Sequence, residues 1–299
     1  MSPRSVLGAL LALAVTGATA APAAAQRPAY PVTVKAANGS VTIPRRPARI
    51  VVLSPSATET LFAIGAGRQV VAVDDQSNFP VRAPRRKLSS FRPSAEAVAR
   101  FRPDLVVTST SANRLLPALR RLRIPVLLEP AATDIGGAYD QMRQLGTATG
   151  HRQAAARLVA RMKRRIAAAT RTQPRGQQLS FFHELSPDLF SVTSRTFIGR
   201  VYALFGLRNI ADAADRSDAF PQLSAEYVIA ANPDLVFLSD TKCCGQSART
   251  VAARPGWANL AAVRTGRVIA LNDDIASRWG PRIVDFVQRI AAVLGEVRG

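Results

Sequence analysis

Histidine is nearly missing from this chain: His151 and His183 are the only two among 299 residues. A three-histidine zinc or manganese site is therefore excluded. Cysteine is as scarce, and its two copies, Cys243 and Cys244, are neighbours. Adjacent Cα atoms across a trans peptide lie about 3.8 Å apart, below the usual disulfide range of roughly 4.4–6.8 Å. A strained vicinal disulfide, a soft-metal contact and a reduced pair are the readings left, with the disulfide first. Catalytic signatures are also missing. There is no Gly-x-Ser-x-Gly elbow, no Gly-x-x-x-x-Gly-Lys phosphate loop and no His-Glu-x-x-His pair. Gly65-Ala66-Gly67 lacks a third glycine and follows a helical pattern instead of a strand, and nothing in the spacing of His183 and Cys243 supports a Cys–His nucleophile. The expectation is a protein that is not an enzyme and carries no cofactor or resident metal.

Acidic residues are outnumbered two to one, 20 against 40 basic ones, for a formal charge of +20. The basic residues are scattered, and the chain carries an export signal, so nucleic acid is not the expected partner. That signal occupies the start: Arg4, an apolar run from Val6 to Val15, then small-residue cleavage sites at Ala18-Thr19-Ala20 and Ala23-Ala24-Ala25. The apolar core is too short to span a bilayer stably. Cleavage is expected after Ala25. No cysteine stands at the junction to carry a lipid, and no later segment is long and apolar enough to cross a membrane. The expected product is exported to a periplasmic or cell-surface space, soluble after cleavage, and monomeric.

With 47% hydrophobic residues the remaining chain can bury a large core. Arg49–Leu53 is a continuous apolar run of the kind buried on both sheet faces. Ser56 and Glu59 read as the capping box of the helix that follows, stopped at Gly65. Two segments then repeat one another: Ser94-Ala95-Glu96-Ala97-Val98 leading to Pro103-Asp104-Leu105-Val106, and Ser224-Ala225-Glu226-Tyr227-Val228 leading to Pro233-Asp234-Leu235-Val236. Residues 54–73 match 194–211, and 121–128 match 263–271, in the same order. This predicts two related α/β lobes. Between them, His151–Arg171 has no Gly or Pro and places Ala155, Leu158, Val159, Met162, Ile166 and Ala169 on one face. The expected organisation is a signal peptide (1–25), an extended segment (26–46), a first lobe (47–150), a linking helix (151–172) and a second lobe (173–299).

The runs RIVVLSPSATETLFAIGA, VVAVDDQSNFP, SAEAVARFRPDLVV, SAEYVIAANPDLVFL and ASRWGPRI resemble the iron-chelate and cobalamin class of periplasmic substrate-binding proteins of ABC transporters. The likeness spans about Pro47 to Leu294 and is strongest to the cobalamin-binding members. It implies two Rossmann-like lobes bridged by one long helix, a small-molecule metal chelate as ligand, and the membrane subunits of an ABC importer as partner. In open α/β sheets ligands bind beyond the carboxyl ends of the strands. Ser54, Ser56, Asp75, Phe79 and Arg195 fall there, as do His183 and Glu184 at the end of an apolar strand. The resemblance places Phe79, Phe91 and Asp274 on the cleft, with Trp279 nearby. It gives Glu96 and Glu226, one per lobe, to docking on the transporter; the bare reading of either is a carboxylate favoured by the helix dipole.

Cobalamin, haem and ferric siderophores all suit an aromatic cleft. Haem calls for an axial ligand, with His183 and Tyr227 as the candidates. A polyanionic siderophore calls for a cationic cluster such as Arg195, Lys242 and Arg278. A secreted structural module without a small ligand is the alternative from another class.

Overall fold

The computed structural model of the chain describes residues 30–171, 179–214 and 218–297. The expected signal peptide, residues 1–25, lies outside them. The segment expected to be extended before the first lobe forms a hairpin, in which β1 (Val32–Ala36) pairs antiparallel with β2 (Gly39–Ile43).

In the first lobe β3 (Ile50–Leu53), α1 (Pro55–Ala63), β4 (Val70–Val73), α2 (Ala95–Ala99), β5 (Leu105–Thr108), α3 (Leu115–Arg121), β6 (Val126–Leu128) and α4 (Ile135–Thr149) follow one another. The hairpin turn closes the outer edge of this sheet. Asn38 donates to the Val126 carbonyl at 2.9 Å and accepts from the Leu128 amide at 3.1 Å, so an edge open to other strands is covered. Then comes α5 (Arg152–Arg171). The second lobe contains β7 (Ser180–Glu184), α6 (Phe197–Ala203), β8 (Arg208–Asn209), α7 (Ala225–Ala231), β9 (Leu235–Leu238), α8 (Thr241–Cys244), α9 (Ala248–Ala252), α10 (Ala261–Arg264), β10 (Val268–Ala270), α11 (Asp273–Ala276) and α12 (Ile283–Glu296).

Every pairing in the two sheets is parallel, and the strand orders are β4-β3-β5-β6 and β8-β7-β9-β10. In each, the second strand lies outside the first and the third and fourth lie on its other side. The repeat visible in the sequence is therefore a repeat of topology. Both sheets are buried on both faces, as helix crossovers require. Alternate residues of β3 serve different cores: Val52 points to the central one and Val51 and Leu53 to the one under α2 and α3.

The central core is common to the two lobes. Val52 and Val107 of the first sheet, Phe181 and Phe237 of the second, and Phe286 and Ile290 of α12 form one continuous cluster with Leu158, Val159, Met162 and Ile166 of α5. The buried stripe of α5 is the one its sequence predicts, while Arg157, Arg161, Arg164 and Arg165 face outward. This rod, about 30 Å long, packs into both lobes.

The start of α1 differs from expectation. Its cap is Ser54, whose hydroxyl accepts from the Ala57 amide at 3.3 Å, and Pro55 takes the first helical position. Proline suits that position because its missing N–H would have no partner there. The capping box of Ser56 and Glu59 does not form, and both side chains bond to residues of the second lobe.

Candidate ligand cleft between the lobes

In a parallel sheet with helical crossovers each helix starts at the carboxyl edge of the strands. The carboxyl edges of the two sheets meet, because residues following β3 and β4 bond to residues following β10. Trp279 donates its backbone N–H to Ser56 Oγ at 3.2 Å and its indole N–H to Gln141 Oε1 at 2.9 Å. Asn78 donates to Asp274 at 3.1 Å. Arg278 is the hub: it donates to Glu59 at 3.0 Å, to the Asn78 side chain and the Gln76 carbonyl at 2.9 Å each, and to Asp274 at 2.8 Å. Arg282 bonds Glu59 from a second direction and lays its guanidinium 4.3 Å over the Phe79 ring.

Lys242 reaches the same cluster, its Nζ donating to Asp274 at 2.6 Å. Burial pushes the Asp274 carboxyl up, but Lys242, Arg278 and Asn78 outweigh it and hold the group below the usual carboxylate range. Desolvation opposes the charge of Arg282, and Glu59, Asp274 and Asp285 outweigh it, so its pKa is raised. The lobe junction is thus a set of ionised groups, mostly buried, each satisfied by an opposite charge.

The structure brings together Phe79, Lys242, Asp274, Arg278 and Trp279 of the residues expected at the ligand; Ser54 and Ser56 adjoin them but are buried, Ser54 as the cap of α1 and Ser56 under the Trp279 backbone. Asp75 sits one step away, accepting from the Ser90 amide at 3.3 Å and the Ser90 hydroxyl at 3.2 Å, which holds the loop carrying Phe91. Phe91 is 75% exposed and Phe79 43%. Two phenylalanines of the second lobe, Phe190 and Phe220, are exposed as well. Sequence reasoning missed both. Phe220 stands four residues before Ser224, nearly where Phe91 stands before Ser94, so the internal repeat contained the signal. Glu59, Asn78, Gln141 and Arg282 were missed too, and only a partner from the other lobe reveals them.

His183 and Glu184 do not face the cleft. The strand β7 continues through them, pairing His183 with Phe237 and Glu184 with Leu238, and both side chains are fully buried. His183 Nδ1 lies 2.9 Å from the Tyr202 hydroxyl, and burial pushes its pKa down to about 3, so the ring is neutral. Glu184 takes two bonds of 2.6 Å from Arg254. Neither is open to a metal chelate. Arg195 donates to the Asp218 carbonyl in the loop ahead of α7.

Cys243 and Cys244 are joined in a vicinal disulfide on α8. The Asp273 carboxylate accepts from the amides of Thr241, Lys242 and Cys243 and so anchors that helix. Glu96 and Glu226 occupy corresponding first turns of α2 and α7, each fully exposed. A bond from Ser94, at 2.7 Å, is the largest influence lowering the Glu96 pKa; for Glu226 its own backbone amide leads, followed by Ser224.

The family model described as Periplasmic binding protein matches residues 50–275, three quarters of the sequence. The chain belongs to this family. A relative named cobalamin-binding protein, from Halobacterium salinarum, is 32% identical over 304 aligned positions, covering 94% of this chain and 82% of its own. Among solved structures, the periplasmic vitamin B12-binding protein BtuF of Vibrio cholerae superposes with a TM-score of 0.72 at 26% identity, over 85% of this chain and 98% of that one. The apo periplasmic heme-binding protein RhuT of Roseiflexus sp. RS-1 gives 0.75 at 26% identity, over 84% and 99%. Family membership makes the chain a substrate-binding protein with the two-lobed fold expected from its sequence, and sets aside a structural module without a ligand.

Proposed function

We propose that this chain is the exported receptor that captures cobalamin between its lobes and delivers it to an ABC importer, docking through Glu96 and Glu226. Relatives named for cobalamin and for haem leave the two ligands to be separated by the chemistry of this chain's own side chains. The observation that carries the choice is how the candidate metal ligands are used. Both histidines are engaged: His183 with Tyr202, and His151 with Thr149 and Arg46. Of the four tyrosines, Tyr30 donates to the Ala148 carbonyl and Tyr227 to the Ile210 carbonyl, Tyr202 is the partner of His183, and Tyr139 is buried. Haem iron would need one of them as an axial ligand. Of the cations expected to gather for a polyanionic siderophore, Lys242 and Arg278 are already paired with Asp274, Arg278 with Glu59 as well, and Arg195 donates to a backbone carbonyl.

Cobalamin needs neither. Its cobalt carries its own axial ligands, and its large flat ring asks for broad aromatic contact, which exposed Phe79, Phe91, Phe190 and Phe220 supply. In this reading the chain turns over no substrate, holds no cofactor, works as a monomer, and is soluble after loss of residues 1–25. Among the described residues no helix is long and apolar enough to cross a membrane.

The deciding experiment is calorimetric titration of the ligand-free mature protein with cyanocobalamin, haemin and a ferric hydroxamate. Submicromolar binding of cyanocobalamin alone is expected; tight binding of haemin or of the hydroxamate with none of cobalamin would overturn the assignment while leaving the receptor class intact.

A further inference from the structure

Beneath Trp279 the first lobe encloses a cavity of about 10 Å³. That is room for one species the size of a water molecule. Its polar lining comes from Ser54, Ser56, Thr60, Glu129 and Gln141. Glu129 follows β6, is 3% exposed, and its Oε1 has no hydrogen-bond partner among the described residues. An orphaned buried carboxyl oxygen is costly, and an ion or water normally accounts for one.

The donor set distinguishes these two occupants. Few nitrogens are left at the cavity: one N–H of the Gln141 amide donates to the Pro130 carbonyl at 2.8 Å, and both N–H groups of Trp279 are bonded to Gln141 and Ser56. The Thr60 hydroxyl gives its proton to the Ser56 carbonyl at 2.9 Å, leaving its lone pairs free. What remains on the polar side are side-chain oxygens, with Ala57, Ala138, Met142 and Leu145 closing the rest, one group able to carry a negative charge and no basic side chain in the lining. Hard cations take such oxygens. A single carboxylate balances a single positive charge, whereas a divalent ion would leave a net buried charge.

We propose that this cavity is a binding site for one alkali cation, with Glu129 as its anionic ligand and the side-chain oxygens of Ser54, Ser56, Thr60 and Gln141 as its neutral ones. Binding is an exchange: the Glu129 carboxyl releases its proton to solvent and the cation takes the proton's place, so the cavity stays neutral throughout. Burial with no counter-charge raises Glu129 to about 8, in keeping with a group that holds a proton until a cation replaces it. The lining offers no second titratable group to share that role. Because Trp279 covers the cavity from the second lobe, occupancy stiffens the lobe junction. The site does not depend on which chelate the cleft carries.

The test uses the mature protein freed of alkali salts, with sodium or potassium chloride compared against choline chloride at equal ionic strength. Thermal unfolding and the emission of Trp279 are followed, in a Trp257→Phe background that leaves a single tryptophan. Sodium or potassium is expected to raise Tm by about 3 °C relative to choline and to shift the Trp279 emission. The increment should be larger near pH 8.5 than near pH 6, where the proton competes better. Glu129→Gln, a neutral isostere, should erase the cation-specific part, and Thr60→Val, which removes one oxygen at constant shape, should shrink it. Identical behaviour in the three salts near pH 8.5 would mean that the cavity holds water only, and an undiminished increment in Glu129→Gln would place the cation elsewhere. Either result overturns the proposal.

Discussion

Glu59 of the first lobe and Arg278 of the second meet at 3.0 Å across the lobe junction, and both side chains are buried. They are 219 residues apart in sequence, so nothing local holds them together. Arg282 joins the same carboxylate from the other side. Removing one member of a buried ionic set leaves its partners charged and unsatisfied, at about 3–5 kcal/mol. Glu59→Gln should lose stability of that order, since it takes from Arg282 the carboxylate it bonds and from Arg278 one of its two, and Arg278→Met should lose less because Arg282 still serves Glu59. Urea unfolding measures both; equal midpoints for wild type and Glu59→Gln would show that the junction contributes nothing to stability.

The aromatic rim makes a separate prediction about affinity. Phe91 and Phe220 are exposed, on the loops leading into α2 and α7, and have little core packing to lose. Truncating either to alanine should leave Tm within a degree or two but weaken cobalamin binding. At about 0.5–1.5 kcal/mol per aromatic contact the loss is roughly two- to twelvefold each. Calorimetry of the two single variants and the double variant checks this, and full affinity in the double variant would remove these rings from the cleft.

Docking is expected to be separable from capture. Glu96 and Glu226 are fully exposed at the starts of matching helices, one in each lobe. Exposed rim charges act on encounter and register more than on the folding of their own chain. Reversing both, Glu96→Lys with Glu226→Lys, should abolish importer-dependent uptake and leave ligand affinity intact. Uptake at wild-type rate in cells carrying the double variant would reject a docking role.

The repeated lobes and the linking helix are legible in the sequence because both are written in local periodicity: β-branched runs for the strands, serine caps at Ser94 and Ser224, and one apolar stripe on α5. Residue types that face a ligand are harder to read. His183 and Glu184 sit where a polar pair ends an apolar run, the usual sign of a strand leaving the sheet. Here β7 is central and goes on pairing with β9, so the polar pair is internal and finds Tyr202 and Arg254 for partners. Glu59 reads as a helix-cap partner because Ser56 stands three residues before it. Pro55 moves the cap to Ser54, and the carboxylate becomes available to a lobe whose approach no local pattern records. Long-range polar contacts of this kind have no periodicity.

His183 supplies a prediction for the acid side. Its ring is fully buried against the Tyr202 hydroxyl, and burial depresses its pKa from 6.5 to about 3. Well above pH 6.5 the ring is neutral in both folded and unfolded chains and exerts no pH-dependent effect. Below that value the unfolded chain takes up a proton that the folded chain refuses, so stability is lost progressively as pH falls from 6.5 toward 3. The full loss is on the order of 5 kcal/mol, at about 1.4 kcal/mol for each tenfold difference in proton affinity between the two states. His183→Gln keeps a hydrogen-bonding side chain at the Tyr202 hydroxyl but cannot titrate. Its stability at neutral pH should fall by about 1–2 kcal/mol from imperfect packing, while its stability between about pH 6.5 and 4 should decline less steeply than that of the wild type. Urea midpoints across that range give both slopes. Parallel slopes would mean that the acid sensitivity of the fold comes from other groups and that His183 takes up its proton without unfolding the second lobe.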